Sequence, residues 1–192
     1  MWTTEAMTDK THSKPILLVL DLDETLIYGA ETPLDREADF MCGDFSMYKR
    51  PGLDEFLASV FDRFEIGVWT SASDSYADCV TASLFTSDQQ TSFVWGASRC
   101  TQRRDIDTHE SYWVKDFKKL KRRGYELERV LVIDDTPQKH SRNYGNLIRI
   151  PAFEGDPLDD VLPKLSRYLR SLESESDVRA IEKRGWLSQV EE

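Results

Sequence analysis

Two pairs of aspartates follow continuously apolar runs: Asp21 and Asp23 come after Ile16-Leu17-Leu18-Val19-Leu20, and Asp134 and Asp135 come after Val130-Leu131-Val132-Ile133. Brought to one place, four carboxylates repel, since two like charges ~4 Å apart cost about 4 kcal/mol at an effective dielectric near 20. Something cationic must sit among them. Oxygen ligands with no neighbouring His or Cys suit a hard ion, and a site that keeps waters and a substrate phosphate suits Mg2+ better than Ca2+. The Asp21-x-Asp23 spacing adds a second capability. Two side chains leaving a strand end in an extended turn approach one small group from different directions, one as nucleophile and the other as proton carrier. Thr70-Ser71, just after Glu65 to Trp69, places hydroxyls at a third such end.

The elements that position these residues can be read from hydrophobic pattern. Ile16 to Leu20 does not alternate, which fits a central strand buried on both faces of a parallel sheet, and Arg129 to Ile133 reads the same way. Leu53, Phe56, Leu57, Val60 and Phe61 fall on one helical face opening after Pro51-Gly52, and that helix feeds the strand Glu65 to Trp69. Ser71-Ala72-Ser73-Asp74 supplies N-cap candidates for a helix over Asp74 to Phe85. Phe93 to Trp95 reads as a short strand, Val114 to Arg122 as a basic helix and Leu147 to Ile150 as the last strand. Beyond Pro157, Leu158, Val161, Leu162, Leu165, Leu169 and Leu172 keep a helical stripe, with Pro163 tolerable only in its first turn. The alternation predicts an α/β fold, a mainly parallel central sheet flanked by helices with right-handed crossovers. Such sheets bind ligands beyond the carboxyl ends of their strands, where the three polar clusters lie.

At 192 residues the chain fits one domain. We place a flexible N-terminal segment at residues 1–14, a single domain at 15–186 and a short tail at 187–192. The net charge of −10 repels phosphate backbones and anionic lipids, so neither nucleic acid nor membrane is an expected partner. The run Ile16 to Leu20 is far shorter than the ~18 residues of a membrane span and lacks a signal-peptide layout. Cys42, Cys79 and Cys100 are odd in number and far apart, which fits reduced thiols and a cytoplasmic location.

Taken together, Asp21-Leu22-Asp23-Glu24-Thr25-Leu26, Lys49-Arg50-Pro51-Gly52, Thr70, Lys115-Asp116 and Val132-Ile133-Asp134-Asp135-Thr136-Pro137 resemble the haloacid-dehalogenase superfamily. Within it they look most like the NLI-interacting-factor-like small phosphatases that act on the RNA polymerase II C-terminal domain, over about Lys14 to Trp186. The resemblance implies the Rossmann-like fold of that superfamily and an aspartyl-phosphate intermediate. Asp21 would attack phosphorus in line and ligate Mg2+. Asp23 would protonate the leaving oxygen, then deprotonate the attacking water, with its backbone carbonyl on the metal. Thr70 would hold phosphoryl oxygens by its hydroxyl and backbone amide, with Thr25 and Ser71 also on the phosphate side. Lys115 would neutralise the phosphoryl charge, and Asp134 and Asp135 would complete the metal shell, one directly and the other orienting it. Relatives in this branch often carry Asp-Asn where this chain has Asp134-Asp135.

Other features have ordinary readings. The cluster Lys115 to Arg123 reads as a solvated helix face, and only the resemblance singles out Lys115. Trp69, Trp95, Cys42 and Cys100 read as packing residues, and His12, His109 and His140 have no ligand spacing. The segments Ile27 to Lys49 and Thr86 to Trp113 are too short for a large helical cap, which predicts an open site. That openness and the resemblance point to a phosphorylated protein or peptide as substrate, with Arg99, Arg103 and Arg104 placed to meet acidic residues or to form surface salt bridges. Two rivals use the same residues: a phosphatase of small metabolites, and a binding module without turnover. The intact acid set argues against the second.

Overall fold

The computed structural model describes residues 15–106 and 109–190. The proposed lead-in over residues 1–14, with His12, and the last two residues of the proposed tail lie outside the described residues. In chain order, β1 (Leu17–Leu20) is followed by β2 (Ile27–Ala30), β3 (Phe40–Cys42), β4 (Phe45–Lys49), α1 (Leu53–Phe61), β5 (Glu65–Trp69) and α2 (Asp74–Leu84). Then come β6 (Phe93–Trp95), β7 (Thr101–Arg104), β8 (Ser111–Val114), α3 (Lys118–Lys121), β9 (Val130–Asp134), β10 (Leu147–Arg149) and α4 (Val161–Leu172).

The central sheet runs β10-β9-β1-β5-β6 with every pair parallel, so the expected α/β architecture is present. Leu18 and Leu20 of β1 join the core with Phe56 and Val60 of α1 and with Leu165 and Leu169 of α4. Leu17 and Val19 join a second core with Trp69, Phe117 and Leu120. Both faces of β1 are therefore dry, which is why its sequence does not alternate. Ser73 caps α2, its hydroxyl accepting from the Tyr76 amide at 3.2 Å. Pro163 is the third residue of α4, where no intrahelical amide bond is lost.

The two insertions are small antiparallel sheets, β2-β4-β3 and the ribbon β7-β8, and no helical cap is built on them among the described residues. Three sequence expectations need correction. The basic helix placed over Val114 to Arg122 is helical only at Lys118–Lys121, because Ser111 to Val114 pair with Arg104 to Thr101 in the ribbon. Cys42 of β3 and Cys79 of α2 form a disulfide, with Cα atoms 6.1 Å apart, so only Cys100 is a free thiol. Residues 37 apart in sequence carry no spacing signal, and the meeting of β3 with α2 creates the pair. The packed domain also runs past residue 186: a 3-10 turn over Trp186–Gln189 packs Leu187 against the core, and Val190 follows it.

Arg50, fully buried after β4, clamps the segment before α4 to the first motif. Its Nε and Nη2 each donate to Asp159 at 2.8 Å, and its Nη1 donates to the Thr25 carbonyl at 3.0 Å. Arg50→Met removes one member of this buried pair and leaves a carboxylate and a carbonyl without their donor. We expect a loss of about 3–5 kcal/mol in urea unfolding, against a change within about 0.5 kcal/mol for the exposed Arg184→Met.

Candidate active site

All three polar clusters emerge at the same edge of the sheet. Asp21 follows β1, Thr70 follows β5, and Asp134 ends β9. β1 lies between β5 and β9, so Asp21 stands at the middle of the group. The turn after Asp21 is tight: the Leu26 amide donates to the Leu22 carbonyl at 2.8 Å, the Glu24 amide donates to the Ile27 carbonyl at 2.8 Å, and Glu24 takes a positive φ of 60°. A left-handed Glu is uncommon, and here the surrounding backbone bonds fix it.

The expected cations are present. Lys115, fully buried after β8, puts its ammonium 2.9 Å from Asp21 Oδ1 and 2.5 Å from Asp134 Oδ2. His140 Nε2 lies 2.8 Å from the same Asp134 oxygen. Burial lowers the His140 pKa, so the ring is neutral at pH 7 and donates from Nε2. A second ammonium, Lys139, lies 3.1 Å from Asp21 Oδ2 and 3.8 Å from Asp134 Oδ1. Neither Lys139 nor His140 was assigned a role from sequence. Both follow Asp135 by a few residues, and only the 3-10 turn Pro137–His140 folds them back onto the carboxylates.

These surroundings separate the two buried acids. Burial, aided by the charge of Asp134, pushes the Asp21 carboxyl up to about 7 against the pull of Lys115 and Lys139. Asp134 is equally buried, yet Lys115, His140 and Lys139 hold it well below the usual carboxylate range. Burial opposes the charge on Lys139, but Asp21, Asp134 and Asp135 outweigh it and raise its pKa.

Asp23 is held apart from this cluster. Its Oδ1 accepts from the Tyr76 hydroxyl and its Oδ2 from the Thr70 hydroxyl at 3.3 Å. Burial first, and then Asp23, raise the Tyr76 pKa, so the phenol stays a donor. Tyr76, placed by the capped first turn of α2, was also missed in the sequence. The Thr70 backbone amide is not available to a phosphoryl oxygen, contrary to expectation: it donates to the Trp95 carbonyl at 2.9 Å as part of the sheet. The Thr70 hydroxyl instead accepts from the Ala72 amide at 3.0 Å and donates to Asp23. Thr25 is buried in the motif turn with no partner for its hydroxyl, and Ser71 is half-buried on the loop after β5.

Ligand oxygens of Asp21, Asp134 and Asp135 lie within 4.8 Å of one another. The buried Oδ1 of Asp135 has no hydrogen-bond partner, while its Oδ2 accepts from the Thr136 hydroxyl at 2.9 Å. An all-oxygen set with an orphaned carboxylate oxygen fits a hard divalent ion. The Asp23 carboxylate is not part of this set. The stretch that holds this site, with Asp-x-Asp after the first strand, a buried lysine and Asp-Asp after a later strand, lies within the match to a family model. That model, the NLI interacting factor-like phosphatase, aligns with residues 16–179. The chain belongs to this family.

Among curated relatives, the human carboxy-terminal domain RNA polymerase II polypeptide A small phosphatase 1 is 30% identical over 177 residues, 88% of this chain and 64% of that protein. CTD small phosphatase-like protein 1 of Caenorhabditis elegans is 32% identical over 159 residues, 77% of this chain and 30% of that protein. The chain thus spans 30 to 64% of the length of these two relatives. The structure of Fcp1, an essential RNA polymerase II CTD phosphatase, superposes with a TM-score of 0.52 at 19% identity, covering 86% of this chain and 52% of that one. A beryllium-fluoride-bound variant of the fission yeast Fcp1 gives 0.51 at 19% identity, covering 92% and 60%. These superpositions establish the shared haloacid-dehalogenase fold. Among the described residues, no helix is long and apolar enough to cross a membrane.

Proposed function

We propose that this protein is a Mg2+-dependent phosphatase that forms an aspartyl phosphate on Asp21 and acts on phosphoserine or phosphothreonine of proteins. The observation that carries this reading is the division of labour between two acids: Asp21 is gripped by ammonium groups at a strand end, and Asp23 is held beside it by neutral donors. An Asp21 oxygen forms the bond to phosphorus as the bond to the leaving oxygen breaks, and Asp23 gives that oxygen its proton. Asp23 then takes a proton from water, the water oxygen bonds to phosphorus, and phosphate leaves with Asp21 restored. Tyr76 and Thr70 fix the direction from which Asp23 delivers and removes the proton. Lys115 offsets charge on the phosphoryl oxygens, and its burial makes that interaction stronger than it is in water. Asp21, Asp134, Asp135 and the Asp23 backbone carbonyl would hold the ion, which when bound supplies charge neutralisation at the phosphoryl group.

The substrate class is supported by what flanks the site. The ribbon β7-β8 rises directly from Lys115 and exposes Arg103, Arg104, Tyr112 and Trp113. Aromatic and guanidinium groups on an exposed ribbon suit an extended acidic chain, and the human relative named above is a carboxy-terminal domain RNA polymerase II polypeptide A small phosphatase by name. The test is hydrolysis of an aryl phosphate, a set of phosphopeptides and a set of phosphorylated metabolites, each with Mg2+ and with chelator. Turnover that needs Mg2+ and a kcat/KM for phosphopeptides at least about tenfold above that for metabolites are expected, a difference of ~1.4 kcal/mol in transition-state binding. Preference for a metabolite would overturn the substrate class, and turnover that survives chelation would overturn the mechanism.

A further inference from the structure

The catalytic scheme uses Lys115 and leaves the second ammonium unexplained. We propose that Lys139 is the resident counter-ion of the acid cluster, that it competes with the metal ion for the same oxygens, and that it moves to the rim when the ion binds.

The distribution of partners over the individual oxygens carries this inference. Asp21 Oδ1 lies against Lys115 at 2.9 Å, and Asp134 Oδ2 is shared by Lys115 at 2.5 Å and His140 at 2.8 Å. The oxygens that face away from Lys115 are Asp21 Oδ2 and Asp134 Oδ1. Lys139 Nζ sits on both, at 3.1 and 3.8 Å. With Lys115 on the other two, these are the oxygens that Asp21 and Asp134 have left to offer an ion held together with Asp135, whose Oδ1 has no partner.

Charge points the same way. With all three of its carboxylates ionised the cluster carries −3. Lys115 and Mg2+ supply +1 + 2 = +3, which balances it, and Lys139 added to them makes a surplus of one. Lys139 without the ion leaves −3 + 2 = −1. One ammonium and one ion are therefore the neutral combination. Of the two lysines, only Lys139 is free to leave. The Lys115 side chain is wholly buried, whereas that of Lys139 is 19% exposed. The backbone under Lys139 stays pinned, its amide donating to the Thr136 carbonyl at 3.2 Å and its carbonyl accepting from the Lys115 amide at 2.9 Å. Movement is thus confined to the flexible side chain, which keeps the ammonium near the mouth of the site, where a phosphate ester brings new negative charge. His140, the adjacent residue, is the fixed partner of Asp134 and holds that carboxylate in place through the exchange.

The inference rests on reading Asp21, Asp134 and Asp135 as an ion site, and its test uses binding instead of turnover. Calorimetric titration of Mg2+ into the wild type, Lys139→Met and Lys139→Arg, in phosphate-free buffer, measures the competition. Loss of the competing charge should tighten Mg2+ binding by about tenfold or more in Lys139→Met, within the usual range of coupling between two bound groups, while Lys139→Arg should stay within about threefold of the wild type. Equal or weaker binding by Lys139→Met would overturn the inference. If that variant does not fold without the ion, isotope-labelled lysine NMR of the wild type decides. The Lys139 side-chain signal should move to the position of a solvated lysine as Mg2+ saturates, and a signal that stays fixed would overturn the proposal. A wild type that shows this exchange yet hydrolyses no phosphate ester would refute the phosphatase reading alone.

Discussion

Asp21→Asn should abolish turnover of every phosphate ester the wild type accepts, by at least about 10⁴-fold in kcat, and should at the same time make the ion-free protein more stable. The kinetic part follows from chemistry: a carboxamide is a poor nucleophile, and groups that act as a unit lose nearly the whole rate when one is removed. The stability part follows from the site. Asp21 is driven up to about 7 by burial and by Asp134, so holding it ionised opposes folding. Its folded pKa lies above the unfolded value of 3.8, so the native state binds more protons between those two values. Its contribution to stability is therefore intact below about pH 4 and is lost as pH rises through 7. An amide cannot ionise and escapes this loss. In chelator, the melting temperature of Asp21→Asn should exceed that of the wild type at pH 8, and the difference should vanish near pH 4. Lys115 and Lys139 keep Asp134 as partner, so the substitution strands neither ammonium. An inactive variant that melts below the wild type at pH 8 would show that Asp21 is stabilised by its lysines and is not a strained nucleophile.

The acids of this site were legible because of where they stand. A strand buried on both faces needs an unbroken apolar run, and a run that ends in Asp marks the point where the chain leaves the core, as at Leu20-Asp21 and Ile133-Asp134. The parallel character of the central sheet followed from the same runs, while its strand order did not. Residues that reach the site from the side were not legible. Tyr76 lies on α2, where an exposed or half-buried aromatic is ordinary, and its value comes from facing Asp23. Lys139 and His140 sit in a 3-10 turn whose path no short-range pattern predicts. The ribbon β7-β8 went unread because its positions are polar or exposed on both faces, so neither period appears, and the basic helix was started too early because the lysines of Lys115 to Lys121 resemble a solvated helix. The disulfide was missed for the same reason as Tyr76, since β3 and α2 meet only in the fold. That link ties the outer sheet to the helix whose Tyr76 holds Asp23, which gives the pair a bearing on the site.

Lys115→Met should damage both catalysis and stability, and Mg2+ should repair only the second. The methionine fills nearly the same volume, so the substitution deletes charge and hydrogen bonds with little change in packing. Lys115 bridges Asp21 and Asp134 at 2.9 and 2.5 Å with no exposure to solvent. Removing one partner of a buried ion pair costs about 3–5 kcal/mol, because the charge left behind keeps its desolvation penalty. Here two carboxylates are left, with Lys139 and His140 as their remaining partners. The full loss should appear in urea unfolding with chelator present. A divalent ion that binds only the folded state adds stability in proportion to its saturation, and it neutralises the same carboxylates, so saturating Mg2+ should restore a large part of the difference. Catalysis should not recover. A bound ion would not restore the hydrogen bonds of the missing ammonium, and loss of one fixed positive donor typically lowers kcat by about 10²–10³-fold. The fall should lie in kcat more than in KM if, as proposed, Lys115 meets charge that develops as phosphorus changes partners. A variant that regains activity with Mg2+ would show that Lys115 serves only to hold the carboxylates together. A variant whose KM alone rises would place Lys115 in substrate binding and leave Lys139 as the group that carries the transition-state charge.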